Sequence, residues 1–212
     1  MREAWSRGYV KVCGVTSVEN ALAVVASGVD AIGVNLATSP RRVTPERAKL
    51  IREATEGSVL CCGVFAENED EEISTYVRAL RFDMVQLHGA LGSALYDDLR
   101  RCNVRIIKAI SIESEEFARF DDDLVDAVLV DGPRPGSGAE HSWDALATRA
   151  FRKPVIAAGG LTPQNVAQVI AATQVWGVDC ASGVESQLGV KDPQLVEAFV
   201  TSARAAWHAG EE

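Results

Sequence analysis

The sequence lacks most of the features that narrow a protein's class quickly. No apolar run approaches the roughly 20 residues of a membrane span, and Met1 to Arg7 is too short and polar for a signal peptide. No Gly/Ser/Pro-rich stretch or block of like charge divides the chain, so nothing serves as a linker to a second domain. The three histidines, His88, His141 and His208, lie far from one another, and no cysteine pair has metal-ligand spacing. A structural zinc is not expected. The five cysteines, Cys13, Cys61, Cys62, Cys102 and Cys180, are odd in number and scattered, as free thiols of a cytoplasmic protein are. Basic residues are in deficit, 21 Lys and Arg against 30 Asp and Glu, for a formal charge of −9. That balance opposes a broad footprint for nucleic acid or an anionic membrane. An anionic ligand would have to be held by local arginines and backbone N–H groups.

What is present is regular. The 212 residues, 47% hydrophobic and 24% charged, suit one domain over residues 1–212, with 1–8 as a short N-terminal extension. Short apolar runs alternate with amphipathic stretches from end to end. The runs are Tyr9 to Cys13, Ala31 to Leu36, Val59 to Phe65, Met84 to His88, Val104 to Ile110, Ala127 to Asp131, Pro154 to Ala158 and Trp176 to Cys180. Helical patterns follow them: Val18 to Ser27, a second capped by Thr44-Pro45-Glu46, an acidic start at Glu69 to Glu72, Ser93 to Arg101 and Glu113 to Phe120. The last three lie near Trp143, over Thr162 to Ala172 and over Pro193 to Trp207. The strands are continuously apolar rather than alternating, as parallel strands covered on both faces are. Eight strand–helix units in little more than 200 residues favour an α/β fold, a closed (β/α)8 TIM barrel, over an open doubly wound sheet. No Gly-x-Gly-x-x-Gly follows the first strand to support the latter, and Gly136-Ser137-Gly138 is a fragment in the wrong place.

A barrel of this kind carries its chemistry at the carboxyl ends of the strands. Polar residues there are Cys13, Asn35, Arg41, His88, Lys108, Asp131 and Asp179. Cys13 and Asp131, on strands one and six, could act as base and acid in moving a proton. Read alone, these two and His88 have ordinary alternatives: a small buried hydrophobe for Cys13, a turn former for Asp131 before Gly132-Pro133, and a hydrogen-bonded structural residue for His88. Glycine turns follow strands seven and eight, at Gly159-Gly160-Leu161-Thr162 and Ala181-Ser182-Gly183-Val184. Loops at those places commonly offer backbone N–H groups to a phosphate; plain tight turns are the alternative.

Several short motifs stand in order along the chain: Lys11-Val12-Cys13-Gly14-Val15-Thr16, Ser39-Pro40-Arg41, Gly63-Val64-Phe65, Val85-Gln86-Leu87-His88-Gly89 and Val130-Asp131. Gly159-Gly160-Leu161-Thr162-Pro163-Gln164-Asn165-Val166, Ser182-Gly183-Val184-Glu185 and Gly189-Val190-Lys191-Asp192 follow. In this order and spacing the chain resembles the phosphoribosylanthranilate isomerase family of tryptophan biosynthesis, from Val10 to about Phe199. The resemblance implies a cofactor-free (β/α)8 enzyme acting on a small phosphorylated substrate by an Amadori rearrangement. On it, Cys13 matches the general base, Asp131 the general acid and Arg41 the partner of the anthranilate carboxylate. Asp179 falls near the substrate, as His88 at its strand end is also expected to, and Gly159, Gly160, Ser182 and Gly183 fall on the phosphate loops. The base needs a thiolate, which either Lys11, on the same side of its strand, or a strand-end dipole could assist. The acid needs a raised pKa.

Three departures from the family pattern carry expectations. Asn35-Leu36 replaces an aromatic-rich strand end and would pack the anthranilate ring differently. Cys180-Ala181 replaces valine and serine and would remove a hydroxyl from the phosphate site. Prolines in Gly132 to Gly138 would stiffen the loop after Asp131. Two other functions compete: the related sugar isomerisation of histidine biosynthesis, which uses a carboxylate where Cys13 stands and shows a clearer two-half repeat, and a silent phosphate-binding barrel, which would need neither Cys13 nor Asp131. Monomer and homodimer both remain open.

Overall fold

The computed structural model describes residues 5–120, 123–132 and 143–209. Its eight main strands are β1 (Tyr9–Cys13), β2 (Ala31–Asn35), β3 (Leu60–Phe65), β4 (Met84–Leu87), β5 (Arg105–Ser111), β6 (Ala127–Asp131), β7 (Val155–Ala158) and β8 (Gly177–Cys180). They pair in parallel in sequence order, and β8 closes on β1 with Lys11 opposite Asp179. Between them run α1 (Val18–Ala26), α2 (Pro45–Thr55), α3 (Asp70–Leu80), α4 (Ser93–Arg101), α5 (Glu115–Arg119), α6 (Asp144–Thr148) and α7 (Val166–Thr173); α8 (Pro193–His208) ends the chain. This is the (β/α)8 barrel.

Alternation along each strand splits the core into two layers. Tyr9, Ala31, Cys62, Met84, Ile107, Ala127, Leu129 and Ile156 fill the interior, while Val10, Val12, Ile32, Val85, Ile106, Val128 and Val178 face the helices. Small residues are needed where a neighbour already occupies the interior. A side chain at Gly33 would sit 2.6 Å from Cys13 Sγ, so this glycine makes room for the thiol. Lys108, expected at the mouth, belongs to the outer layer. It lies between inward Ile107 and Ala109, and its ammonium meets Glu116 at 3.0 Å and the Ala109 carbonyl at 2.8 Å.

The start of the barrel is tied by a repeated device. Asp30, Asp83 and Asp126 directly precede β2, β4 and β6. Each accepts a backbone N–H from the preceding strand: Val10 at 2.8 Å, Cys61 at 2.8 Å and Ile106 at 2.7 Å. Each also meets a helix arginine, Arg204 at 3.0 Å, Arg52 at 3.3 Å and Arg100 at 2.9 Å. Below them Trp5, Tyr9 and Trp176 cluster with centroids 4.7–5.3 Å apart, Tyr9 stacked on Trp176 and Trp5 edge-on to Tyr9.

Two elements differ from expectation. Helix seven starts four residues later than Thr162, because Asn165 folds Thr162–Asn165 into a turn: its Oδ1 accepts the Thr162 N–H at 2.8 Å and its Nδ2 donates to the Gly160 carbonyl at 3.0 Å. A hairpin also follows β8, made of β9 (Glu185–Gln187) and β10 (Val190–Lys191). Gly189 at φ 77° makes its turn, and Thr16 Oγ1 donates to the Gly189 carbonyl at 2.7 Å, pinning the hairpin to the loop after β1.

Candidate active site

Cys13, Asp131 and Asp179 all lie at the carboxyl-terminal halves of barrel strands and face inward by alternation. Lys11, one inward step below Cys13, is fully buried and organises the floor between them. Its ammonium donates to Asp179 Oδ2 at 2.6 Å and to Gln86 Oε1 at 2.9 Å. Burial opposes the charge on Lys11, but Asp179, with Cys13 and Cys62 adding to it, outweighs burial and the net shift is upward. For Asp179, burial raises the carboxyl more than Lys11 lowers it. The 2.6 Å contact decides for the ionised form, since a neutral acid would leave a buried ammonium without a counter-charge. Asp179 Oδ1 is buried and accepts no hydrogen bond among the described residues.

Gln86 extends the network. With its Oε1 taken by Lys11, its Nε2 is the donor toward His88 Nε2, 2.8 Å away. His88 Nε2 is then the acceptor and Nδ1 carries the proton, an assignment made from this bond pattern. Nδ1 lies 3.9 Å from Asp131 Oδ2. Burial, followed by the charge of Lys11, lowers the His88 pKa, so the ring is neutral near pH 7. An inward row therefore runs Asp179, Lys11, Gln86, His88, Asp131, from β8 through β1 and β4 to β6.

The two proton-transfer candidates are shifted the same way. Burial raises the Asp131 carboxyl, partly opposed by Lys11, which suits a proton donor. Burial also raises the Cys13 thiol, opposed chiefly by Lys11, with Lys191 a smaller influence in the same sense. Lys11 thus assists a thiolate, as its strand position suggested, but does not produce one outright in the free site.

Arg41 is not an open fork. Its Nε and Nη2 donate to Glu185 at 2.7 and 2.6 Å, and Lys191 Nζ donates to Glu185 Oε1 at 2.8 Å and to the Ala181 carbonyl at 2.9 Å. Burial would raise the Glu185 carboxyl, but the bonds from Arg41 and Lys191 outweigh it and it is lowered. The stem of Arg41 lies on Gly14, where an added Cβ would come within 2.5 Å of Arg41 Cδ. Asn35 spends its side chain locally, accepting the Ala37 N–H at 3.0 Å.

The glycine loops sit side by side. Gly159 and Gly160 have φ of 83° and 67°. A side chain at Gly183 would collide with the Leu161 carbonyl oxygen, so Gly183 packs directly on the preceding loop. Ser182–Val184 forms a single 3₁₀ turn. Cys180 points outward into the helix layer, and its Sγ donates to the Leu161 carbonyl at 3.0 Å. Burial pushes this thiol up to about 12, so it joins the loops as a neutral donor. Prolines 133 and 135 lie outside the described residues.

The residues picked from sequence therefore fall in two neighbouring groups, a floor gathered around Lys11 and an arginine-bearing rim beside the glycine loops. Gln86, Glu185 and Lys191 were not picked. Gln86 stands two residues before His88, on the same strand face, while Glu185 ends one motif and Lys191 stands third in the next, on either side of a glycine turn.

A family model described as N-(5'phosphoribosyl)anthranilate (PRA) isomerase matches residues 10–202. The N-(5'-phosphoribosyl)anthranilate isomerase of Roseiflexus sp. (strain RS-1) is 39% identical over 211 residues, covering 93% of this chain and 98% of that one. A crystal structure of phosphoribosyl anthranilate isomerase in complex with reduced 1-(o-carboxyphenylamino)-1-deoxyribulose 5-phosphate superposes with a TM-score of 0.78 at 29% identity, covering 93% of this chain and 98% of the other. The Thermotoga maritima phosphoribosyl anthranilate isomerase gives 0.80 at 31% identity, with the same coverage.

Proposed function

Since the chain belongs to the N-(5'-phosphoribosyl)anthranilate isomerase family, we propose that it converts N-(5-phosphoribosyl)anthranilate to 1-(2-carboxyphenylamino)-1-deoxyribulose 5-phosphate in tryptophan biosynthesis. The observation that carries this reading is the set of inward groups around Lys11. A thiol and a carboxyl share one barrel mouth, and the same ammonium influences both. We place the reaction in the cytoplasm, by a monomer or homodimer with no cofactor; among the described residues no helix is long and apolar enough to cross a membrane.

The steps follow from the groups. Asp131 gives its proton to the furanose ring oxygen as the C1–O bond breaks, and the anthranilate nitrogen's lone pair forms the C1=N bond of an iminium. Cys13, as thiolate, takes the C2 proton; the C2–H electrons become the C1=C2 bond and the C1=N electrons return to nitrogen. Ketonisation of the resulting enolamine completes the Amadori rearrangement. The unpartnered Asp179 Oδ1 is a ready acceptor for a sugar hydroxyl. His88 presents its Nδ1–H beside Asp131 and supports the carboxylate left after proton donation. Gly159, Gly160, Ser182 and Gly183 offer backbone N–H groups to the phosphate, which needs no lysine there. Arg41 takes the anthranilate carboxylate with the N–H groups that Glu185 leaves unused.

Purified protein mixed with N-(5-phosphoribosyl)anthranilate should abolish the substrate's fluorescence at a rate proportional to enzyme. Folded wild-type protein that leaves the fluorescence unchanged would overturn the assignment.

A further inference from the structure

The Arg41–Glu185–Lys191 cluster poses an electrostatic problem. An arginine assigned to a substrate carboxylate is already held in a bidentate pair by a protein carboxylate, at 2.7 and 2.6 Å. Alone, that pair would be neutral and would offer an incoming anion no net attraction. Lys191 changes the balance. Its fully buried ammonium bonds the same Glu185 oxygen that accepts from Arg41 Nε. Two cations against one carboxylate leave the cluster positive.

We propose that Glu185 and Lys191 are positioning residues for the substrate carboxylate: Glu185 aims the Arg41 guanidinium, and Lys191 offsets the charge of Glu185 so that the aimed fork still attracts an anion. The inference rests on the isomerase reading and adds to it two residues and their division of labour. The guanidinium carries five N–H donors in a plane. Glu185 takes Nε and one Nη2 donor, so the edge made by Nη1 and the second Nη2 hydrogen is the one that remains for a bidentate partner.

The same cluster links the two ends of the pocket. Lys191 Nζ also bonds the carbonyl of Ala181, directly before Ser182-Gly183 of the phosphate loop. Its backbone is fixed from α1: Asn20 Oδ1 accepts the Lys191 N–H at 3.2 Å and Asn20 Nδ2 donates to its carbonyl at 3.1 Å. One rigid hub on the β9–β10 hairpin therefore sets the separation between the carboxylate fork and the phosphate loop. A ligand that fits both is ranked by length as well as by charge.

The test is a thermodynamic cycle between protein and ligand. Dissociation constants are measured by calorimetry for reduced 1-(o-carboxyphenylamino)-1-deoxyribulose 5-phosphate and for its counterpart without the ring carboxylate. Wild type should prefer the carboxylated ligand. Lys191→Met and Glu185→Ala should each cut that preference by about tenfold or more, the scale of one hydrogen bond to a charged group; affinity for the decarboxylated ligand should change by less than about threefold in Glu185→Ala and by more in Lys191→Met, which also releases the Ala181 carbonyl before the phosphate loop. That second ligand reports whether the pocket is still folded in each variant. Equal loss for both ligands would make the cluster merely structural, and an unchanged preference would remove it from carboxylate recognition; either overturns the proposal. Wild type that binds the pair with equal affinity would do so too, whereas wild type that binds neither overturns the isomerase reading beneath it.

Discussion

Strand β6 carries an aspartate at each end, and the two have opposite fates. Asp126, just before the strand, accepts the Ile106 N–H at 2.7 Å and both carboxylate oxygens meet Arg100, at 3.2 and 2.9 Å. Asp131, five residues on, has a neutral histidine 3.9 Å away and is raised by burial. The first carboxylate is satisfied and the second is left wanting a proton. The contrast extends to the other amino-end aspartates: Asp30 and Asp83 repeat the Asp126 arrangement, while at the carboxyl end Cys13, His88 and Asp131 all have their charged forms opposed by burial. One end joins strands, and the other is where we propose that protons move.

The comparison breaks most visibly at Asp131. Asp131→Asn should lower turnover of N-(5-phosphoribosyl)anthranilate by about 10²–10⁴-fold, the usual contribution of a general acid, with the far-ultraviolet circular dichroism unchanged. Asp126→Asn should leave turnover within about threefold, as surface or structural changes remote from a site do. If both variants lose activity equally, the division between the two ends fails.

A second prediction sharpens what the carboxyl end does. The proposed mechanism requires a deprotonated Cys13 beside a protonated Asp131. Both are raised, and the thiol starts from the higher ordinary value. Below the Asp131 pKa both groups hold protons and no base exists. Above the Cys13 pKa both have lost them and no acid exists. Between the two, one proton is shared, and the productive arrangement is the minor one. The profile of kcat/KM against pH should therefore be a bell whose acid limb belongs to Asp131 and whose alkaline limb belongs to Cys13, the reverse of the simplest assignment. The rate of Cys13 alkylation by iodoacetamide should rise through the alkaline limb, because the thiolate is the nucleophile. Alkylation that instead rises through the acid limb would show a thiolate already formed at neutral pH.

At the amino end the effect is one of stability. Asp83→Ala removes the acceptor of the Cys61 N–H and the partner of Arg52. Leaving such a backbone donor unpaired should cost about 1–3 kcal/mol, read as a lower denaturant midpoint with an unchanged slope and with kcat/KM retained by the folded fraction. A variant as stable as wild type would show that the repeated aspartates do not tie the strands.

Most of this contrast was written in the sequence, though not all of it could be read there. Continuous apolar strands of regular spacing gave the barrel, since only strands covered on both faces read that way. Position at strand ends gave Cys13, His88, Asp131 and Asp179. The same rule misplaced Lys108, because a one-residue difference in register turns a side chain from the interior to the helix layer. Asp30, Asp83 and Asp126 each stand immediately before an even strand, a repeat visible in the letters, yet their role needs a neighbouring strand's N–H that sequence does not locate. Glu185 and Lys191 were harder still. Both lie on a two-stranded hairpin with little local signal, and their meaning depends on Arg41, 144 residues from Glu185 in the chain.

The smallest expected effect is also the one that joins the two ends. A carboxyl whose folded pKa lies above its unfolded value holds its proton more tightly when folded. Its contribution favours the fold at low pH and is lost as pH rises through the folded pKa. At neutral pH Asp131 is therefore a liability that an uncharged amide in its place would not share. The side chain is 39% exposed, so water screens much of the penalty. Asp131→Asn should then raise stability at pH 7 by about 0.5–1 kcal/mol, within the range that relieving a functional site commonly yields, and the difference from wild type should shrink as pH falls below the folded pKa. Asp126→Asn should move stability the other way at pH 7, because it gives up an ion pair with Arg100. Two identical substitutions five residues apart, one just before β6 and one at its end, would thus shift the melting temperature in opposite directions, and only the one that stabilises would cripple catalysis.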